Sequence, residues 1–475
     1  MKNLYTFFAV LLVLTVQLAS AQTQLWGACN YGGTLDSGTI FTADANGNNL
    51  HAVYSCNQTD GAYIVGGLCM AGNGKLYGVT TWGGCHDSCV CFSYNPITGQ
   101  FMDFHDLYCD PANGWGAMSS MTLGTDGNLY GLCGTGGLNN YGVIYKIDPT
   151  TETYYDVYDF TGTTGGGVYG AGGTLTQLSD GKFYGMTNIG GTYNQGVIFS
   201  FDPTNSNYTL LYSLDSAHGM SPYYGGLIKA TDGKLYGMTQ VGGANNQGVL
   251  FSYDFSTSVY TDLFDFISTT GYSPLGSLIQ ATNGKLYGMT NAGGSGGAGV
   301  IFSFDINTNT YSDLFNFNGT NGANPQRSLI QASNGKLYGT TYAGGASGLG
   351  VAFSYDIDLN ACVILANMDN TVGANPSSDI IETPQLTTGV ATVNNDNMFS
   401  IYPNPVISVL NINYSTKSSS FTSQIILSDV LGNVIYQQTL TSTNTSLDVS
   451  KWSKGIYMME LRNEKETLIK KVVIQ

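Results

Sequence analysis

The chain has 475 residues, only 10% of them charged, and a net charge of −16 from 16 basic and 32 acidic side chains. With 64 Gly, 33 Tyr and few Lys or Glu, the composition disfavours helices and favours short strands joined by tight turns. The acidic balance excludes a phosphate-binding surface, so no nucleic-acid partner is expected, and the excess charge reads as solubility.

The first element is a targeting segment. Lys2, the apolar run Phe7 to Leu18 and the small-residue site Ala19-Ser20-Ala21 read as a signal peptide over residues 1–21, with the mature chain starting at Gln22. No Cys follows the site, which argues against a lipoprotein. No later segment has the ~18 uncharged apolar residues that span a bilayer. The mature chain is therefore expected to be exported, without a transmembrane segment.

A Leu-aromatic-Gly signature then recurs seven times: Leu25-Trp26-Gly27, Leu76-Tyr77-Gly78, Leu129-Tyr130-Gly131, Phe183-Tyr184-Gly185, Leu235-Tyr236-Gly237, Leu286-Tyr287-Gly288 and Leu337-Tyr338-Gly339. The steps are 51, 53, 54, 52, 51 and 51 residues. A period near 50 with strand chemistry inside each unit predicts a β-propeller. In the sixth unit, Ser277 to Ala281 is an inner A strand and Lys285 to Thr290 a B strand. Val300 to Asp305 is the C strand and Tyr311 to Phe317 the outer D strand, each alternating apolar and polar residues. The A–B and C–D turns are short, and the B–C loops and D–A connections are longer.

The first unit lacks an A strand before Leu25. Gly373 to Glu382 repeats the pattern of Gly322 to Gln331 and would supply it, closing a ring and removing its open edges. Residues 22–382 thus read as a seven-bladed propeller, and the Thr/Asn-rich residues 383–397 as a linker. Residues 398–475 hold several short apolar strands and suit a small Ig-like β-sandwich. The fold class is all-β. Charge follows this division. Residues 23–395 carry 8 basic and 26 acidic side chains, a net of −18, and residues 396–475 carry seven basic and six acidic, a net of +1.

The repeat resembles the GloVer tandem repeat of exported bacterial proteins, through Gly284-Lys285-Leu286-Tyr287-Gly288, Gly293-Gly294 and Gly299 to Asp305. That resemblance implies an extracellular, anchored or sorted protein, and it carries no known catalytic residue. The tail resembles the type A sorting domain of the type IX secretion system of Bacteroidota. The matching residues are Tyr402-Pro403-Asn404-Pro405, Asp429-Val430-Leu431-Gly432, Leu447 to Trp452, Lys454-Gly455-Ile456-Tyr457 and Lys470-Lys471-Val472-Val473. This second resemblance implies passage through the periplasm and across the outer membrane, with the type IX machinery as partner. The cargo is then released or attached to the cell surface.

Ligand-site candidates lie on the face with the longer loops. Every unit opens its B–C loop with Gly-Gly, as in Gly242-Gly243. Those amides would bind an anion or a sugar, or the pair is a backbone turn needing positive φ; its presence in all units favours the turn. Tyr31, Trp82 and Tyr342 precede the pair in units that ring closure makes neighbours. They would stack on sugar rings, or cover blade junctions. Trp115, Tyr169 and Tyr272 form a second set, in the D–A connections.

Nine cysteines in an exported chain predict disulfides, and the Cys85-His86-Asp87-Ser88-Cys89-Val90-Cys91 loop fits them better than zinc. Of the four His, His51 and His105 fall in D strands, and no nucleophile–base pair stands out. Asp87 and Asp215 are the non-repeated carboxylates. No catalytic residue, metal or cofactor is predicted. The expected function is binding or display of an extracellular glycan or protein. A structural surface protein and a polysaccharide-active enzyme are the alternatives.

Overall fold

The structure, a computed structural model, describes residues 23–44, 46–84, 89–107, 114–117, 119–167, 173–384, 399–414, 423–429, 434–440, 444–462 and 467–474. The expected signal peptide lies outside them, as does the linker beyond Pro384. The chain divides into two units, Met1–Gln385 and Leu386–Gln475.

Each repeat of the first unit is one antiparallel sheet, with its strands in chain order in all but the first. The sixth runs Ile279–Gln280, Leu286–Thr290, Val300–Asp305, Thr310–Asn316. The A strand is shorter than the sequence predicts. The Ser277 amide leaves the ladder and donates to Ser328 Oγ of the next sheet at 2.9 Å.

The signature now has a physical account. Leu286 is fully buried. Gly288 lies opposite Phe302, whose ring occupies the space a Cβ would take, with Cζ 2.6 Å from the Cβ position. Tyr287 Oη accepts from Asn283 Nδ2 in the A–B turn at 2.8 Å, and Tyr236 donates to Asp232 at the same distance. Leu, Tyr and Gly therefore serve the core, the turn and the cross-strand ring.

Neighbouring sheets are joined face to face. Hydrophobic clusters span successive repeats, such as Tyr236 and Leu250 with Leu286 and Phe302. A further cluster joins Ala332 and Tyr338 of the last repeat to Leu25 and Ala43 of the first. D-strand rings stack between sheets: Tyr54 on Phe101 at 4.2 Å, Tyr158 on Tyr208 at 4.5 Å and Phe264 on Tyr311 at 4.1 Å. Cys362 pairs with Tyr355 as Tyr311 does with Phe304, so the last repeat has a thiol where others have this ring.

Inner hydrogen bonds also run from sheet to sheet. Gly67 N donates to Ser120 Oγ (2.6 Å), Thr122 Oγ1 to Leu175 O (2.6 Å), and Thr176 Oγ1 to Leu227 O. Gly226 N donates to Ser277 Oγ (2.7 Å), and Ser328 N to Asp379 Oδ1 (2.7 Å). Ser377 Oγ then donates to Ile64 O at 2.6 Å, returning the series to the sheet of Gly67.

The strand after the last repeat lies beside the first. Ile381–Pro384 pairs with Thr23–Tyr31, placing Glu382 against Leu25 and Ile381 against Trp26. The pairing continues through Pro384, two residues past Glu382, because Thr383 and Pro384 register with Gln24 and Thr23.

The Gly-Gly loops are tied to the D strands. Gly243 has φ +76, and its amide neighbour Ala244 N donates to Asp265 Oδ1 at 2.6 Å. Asp262, three residues before Asp265, is raised to about 6 by burial and then by the Asp265 charge. Asp103 and Asp156 are also raised to about 6, by burial and by Asp106 and Asp159. A carboxyl raised on folding stabilises most when protonated. Its contribution is complete below the unfolded value near 3.8 and is lost as pH rises through about 6. The three side chains are partly exposed, so solvent discounts the effect. A thermal melt is expected to show Tm higher by about 3 °C at pH 4.5 than at pH 7.5. The Asp103→Asn, Asp156→Asn, Asp262→Asn triple variant should flatten that slope.

The second unit has two antiparallel sheets. Phe399–Tyr402, Val409–Tyr414 and Asn444–Asp448 form one. Val434–Leu440, Ser423–Asp429, Gly455–Arg462 and Thr467–Ile474 form the other, in that order. Leu410, Ile412 and Leu447 from the first share one core with Ile425, Leu427, Met459 and Val472 from the second.

Candidate functional site

Tyr31 ends the B strand of the first sheet and Trp82 that of the second, while Tyr342 follows the B strand of the last. All three line one pocket of about 560 Å³, with Asn30, Tyr63, Tyr224, Gln326, Arg327 and Ser377. Trp82 is 55% exposed, so a ring face is free for a ligand. Tyr31 and Tyr63 pack with centroids 5.1 Å apart. Burial pushes the Tyr342 phenol up, Tyr31 adds to this, and a hydrogen bond with Asn30 opposes it.

Two departures from the repeat build this pocket. Tyr63 sits at φ +60, a left-handed conformation uncommon for a bulky side chain. The equivalent residues are Ser221, Ser273, Asn324 and Asn375, also at positive φ and better suited to it. Arg327 occupies the position of Gly173, Gly225 and Gly276, each of which packs against backbone of the following sheet. Arg327 is 4% exposed, and its guanidinium carbon lies 4.0 Å from the centroid of the Tyr224 ring. Its Nε is buried without a hydrogen-bond partner, and no described residue forms an ion pair with it. An unpaired buried cation costs several kcal/mol in general, less where an aromatic face offsets it. Asn30 Oδ1 is likewise buried and unpartnered. Comparing units position by position would have singled out Tyr63 and Arg327. Tyr224 lies in an insertion and gives no such signal.

The other candidates lie elsewhere. Tyr272 is half-buried and packs on the hydrophobic cluster between the fifth and sixth repeats. Trp115 begins a strand, Trp115–Ala117, paired through Thr135. Its side chain, Tyr169 and the segment Cys85 to Ser88 lie outside the described residues.

Asp215 proves to be a turn residue. Its Oδ1 accepts from the Ala217 and His218 amides at 2.9 Å each, as Asp369 Oδ1 does from Thr371 and Val372 at 2.8 Å. The apparent singularity of Asp215 in the sequence is therefore an Asx turn found in other units. His218 Nδ1 also meets Asp215, at 2.9 Å. Burial raises the Asp215 carboxyl, but these bonds outweigh it and hold it below its ordinary value.

Cys29, Cys56, Cys69, Cys91, Cys133 and Cys362 are free thiols in this structure. The disulfides expected of an exported chain are not shown among them, and Cys85 and Cys109 lie outside the described residues. Burial pushes Cys29 and Cys56 up to about 12, which leaves them unreactive. Among the described residues no group of His, Cys, Asp and Glu has metal-binding geometry, and no helix is long and apolar enough to cross a membrane.

In the tail, the opening motif meets the last strand. Val473 N donates to Asn404 Oδ1 at 2.8 Å, and Val406 N donates to Val473 O at 2.8 Å. Tyr402 is exposed, and Asn413 Nδ2 donates to its Oη at 3.3 Å. Pro403 and Pro405 are exposed beside it. Tyr457 donates to Ser453 O at 2.8 Å, two residues before Gly455. Lys470 and Lys471 lie opposite Met459 and Met458. The Lys471 side chain and Gly432 are outside the described residues.

Residues 14–177 and 171–402 match the Gloeobacter/Verrucomicrobia repeat, and residues 400–475 match the secretion system C-terminal sorting domain. No curated protein matches the chain. Among solved structures, a candidate 6-phosphogluconolactonase from Bacteroides fragilis is 14% identical with a TM-score of 0.52, covering 77% of this chain and 99% of that one. A second, from Bacteroides uniformis, is 12% identical with a TM-score of 0.50, covering 76% and 99%. At such identity they share the all-β fold alone. PorZ, an essential surface component of the type IX secretion system of Porphyromonas gingivalis, is 13% identical with a TM-score of 0.41. The match covers 95% of this chain and 58% of PorZ. The repeats and the tail together decide the matter: the chain belongs to the Gloeobacter/Verrucomicrobia repeat family and carries a type IX sorting domain, which directs its export to the cell surface or the medium.

Proposed function

We propose that the repeats form a closed seven-bladed β-propeller acting outside the cell as a non-catalytic binding module for a glycan. A signal peptide over residues 1–21 starts its export, and an Ig-like sandwich over residues 398–475 completes it. Closure is supported by the pairing of Thr23–Tyr31 with Ile381–Pro384 and by the sheet-to-sheet hydrogen bonds that end at Ile64. It sets Tyr31, Trp82 and Tyr342 side by side at one end of the axis.

The observation that carries the binding reading is the shared pocket of these three rings. Flat aromatic faces suit the C–H faces of pyranose rings, and the amides and hydroxyls of Asn30, Gln326 and Ser377 suit sugar hydroxyls. The volume accommodates one or two sugar residues. A protein ligand would use the same face. On a glycan array the mature chain is expected to bind a defined subset of sugars. Trp82→Ala and Tyr342→Ala should each weaken that binding at least tenfold, with Tm unchanged within about 2 °C. An array without signal, from folded protein that stays at the cell surface, would argue for a structural role instead.

A further inference from the structure

We propose that the sugar this pocket takes is acidic, and that Arg327 binds its carboxylate. The inference rests on the glycan-binding reading and goes further by naming the charge of the ligand. Inner positions equivalent to Arg327 hold small residues: Gly173, Gly225 and Gly276, where a side chain would strike the next sheet, and Ser378. A long cation at such a place is not needed for the packing of a repeat. Arg327 lines the pocket and is 4% exposed, and its guanidinium lies 4.0 Å from the centre of the Tyr224 ring and meets no carboxylate among the described residues. A buried guanidinium fixed in this way is preorganised for a planar, two-oxygen anion. Asn30 Oδ1, also buried without a partner, is an acceptor for a ligand hydroxyl.

The surroundings favour a sugar acid over a peptide carboxylate. The strands that carry Tyr31 and Trp82 are paired on both sides in their sheets and offer no edge to an extended peptide, while Tyr63 lies on Ala62–Met70, the inner edge strand of its sheet. The ring faces of Tyr31 and Trp82 with polar groups between them fit a hydroxylated ring. Residues 23–395 carry a net charge of −18, which opposes a dense polyanion and fits one carboxylate per recognised unit.

The test is calorimetric titration of the mature full-length chain with glucuronate- and galacturonate-terminated oligosaccharides and their uncharged glucose and galactose counterparts. The acidic sugars are expected to bind at least tenfold more tightly, and Arg327→Gln should bring that ratio close to one. Should Arg327→Gln fail to fold, Arg327→Lys serves: it keeps the charge without the planar fork, and the preference should shrink yet persist. Equal affinity for acidic and neutral sugars would overturn this inference and leave the glycan reading standing. Failure of both sugar classes to bind would overturn the glycan reading together with it. Binding of a short peptide through its terminal carboxylate, lost in Arg327→Gln while sugars are ignored, would replace the sugar acid with a peptide ligand.

Discussion

Deleting residues 373–384 is expected to abolish cooperative folding of the repeat region. The segment supplies the strand paired with Thr23–Tyr31 and buries Ala374 and Ile380. It also carries the side-chain bonds of the seam. Ala28 N donates to Ser378 Oγ at 2.5 Å, Ser120 Oγ to Asp379 Oδ2 at 2.7 Å, and Ser333 N to Glu382 Oε2 at 2.8 Å. Each buried group left without a partner costs about 1–3 kcal/mol, and each apolar side chain returned to water a similar amount. The sum reaches about 10 kcal/mol, comparable to the whole stability of a typical domain. Circular dichroism and gel filtration should show an unfolded or aggregated chain. A chain shortened after Gln385 should melt like the parent repeat region. The single change Asp379→Ala, which unpairs Ser328 N and Ser120 Oγ, should cost about 2–4 kcal/mol in urea unfolding. Melting of the deletion variant within a few degrees of the parent would sink the closed ring.

Removing residues 399–475 is expected to trap the protein in the periplasm of a host with type IX secretion. Fractionation and immunoblotting would show it moving from the surface or medium to the periplasmic fraction. Asn404→Ala tests the same point more finely. It removes the acceptor for Val473 N, and so loosens the opening motif from the last strand. The expected stability cost is about 1 kcal/mol, too little to unfold the domain, so reduced export would trace to the joined ends of the tail. Undiminished surface delivery of the truncated chain would refute the assignment of this domain as the export signal.

The architecture was legible because its signals are local. Leu286, Tyr287 and Gly288 satisfy a core, a turn and a cross-strand ring within one repeat, so their recurrence marks each sheet. The A strands were overestimated because Ser277 turns its amide toward a neighbouring sheet, a bond no window of one repeat contains. Asp215 stands apart in the sequence for the opposite reason: Asp369 makes its turn with the same side chain, but Asn57 and Asn318 make it with another.

By itself the sequence determined the strand pattern, the repeat length and the sorting tail, since periodicity and short motifs survive without contacts. It also contained the three aromatic positions of the pocket. Tertiary structure alone decided that Tyr63, Tyr224 and Arg327 join them. These residues are separated by up to 264 positions, from Tyr63 to Arg327. Only the stacking of sheets, driven by burial of both faces of each B strand, brings such distant chain segments within reach of one ligand.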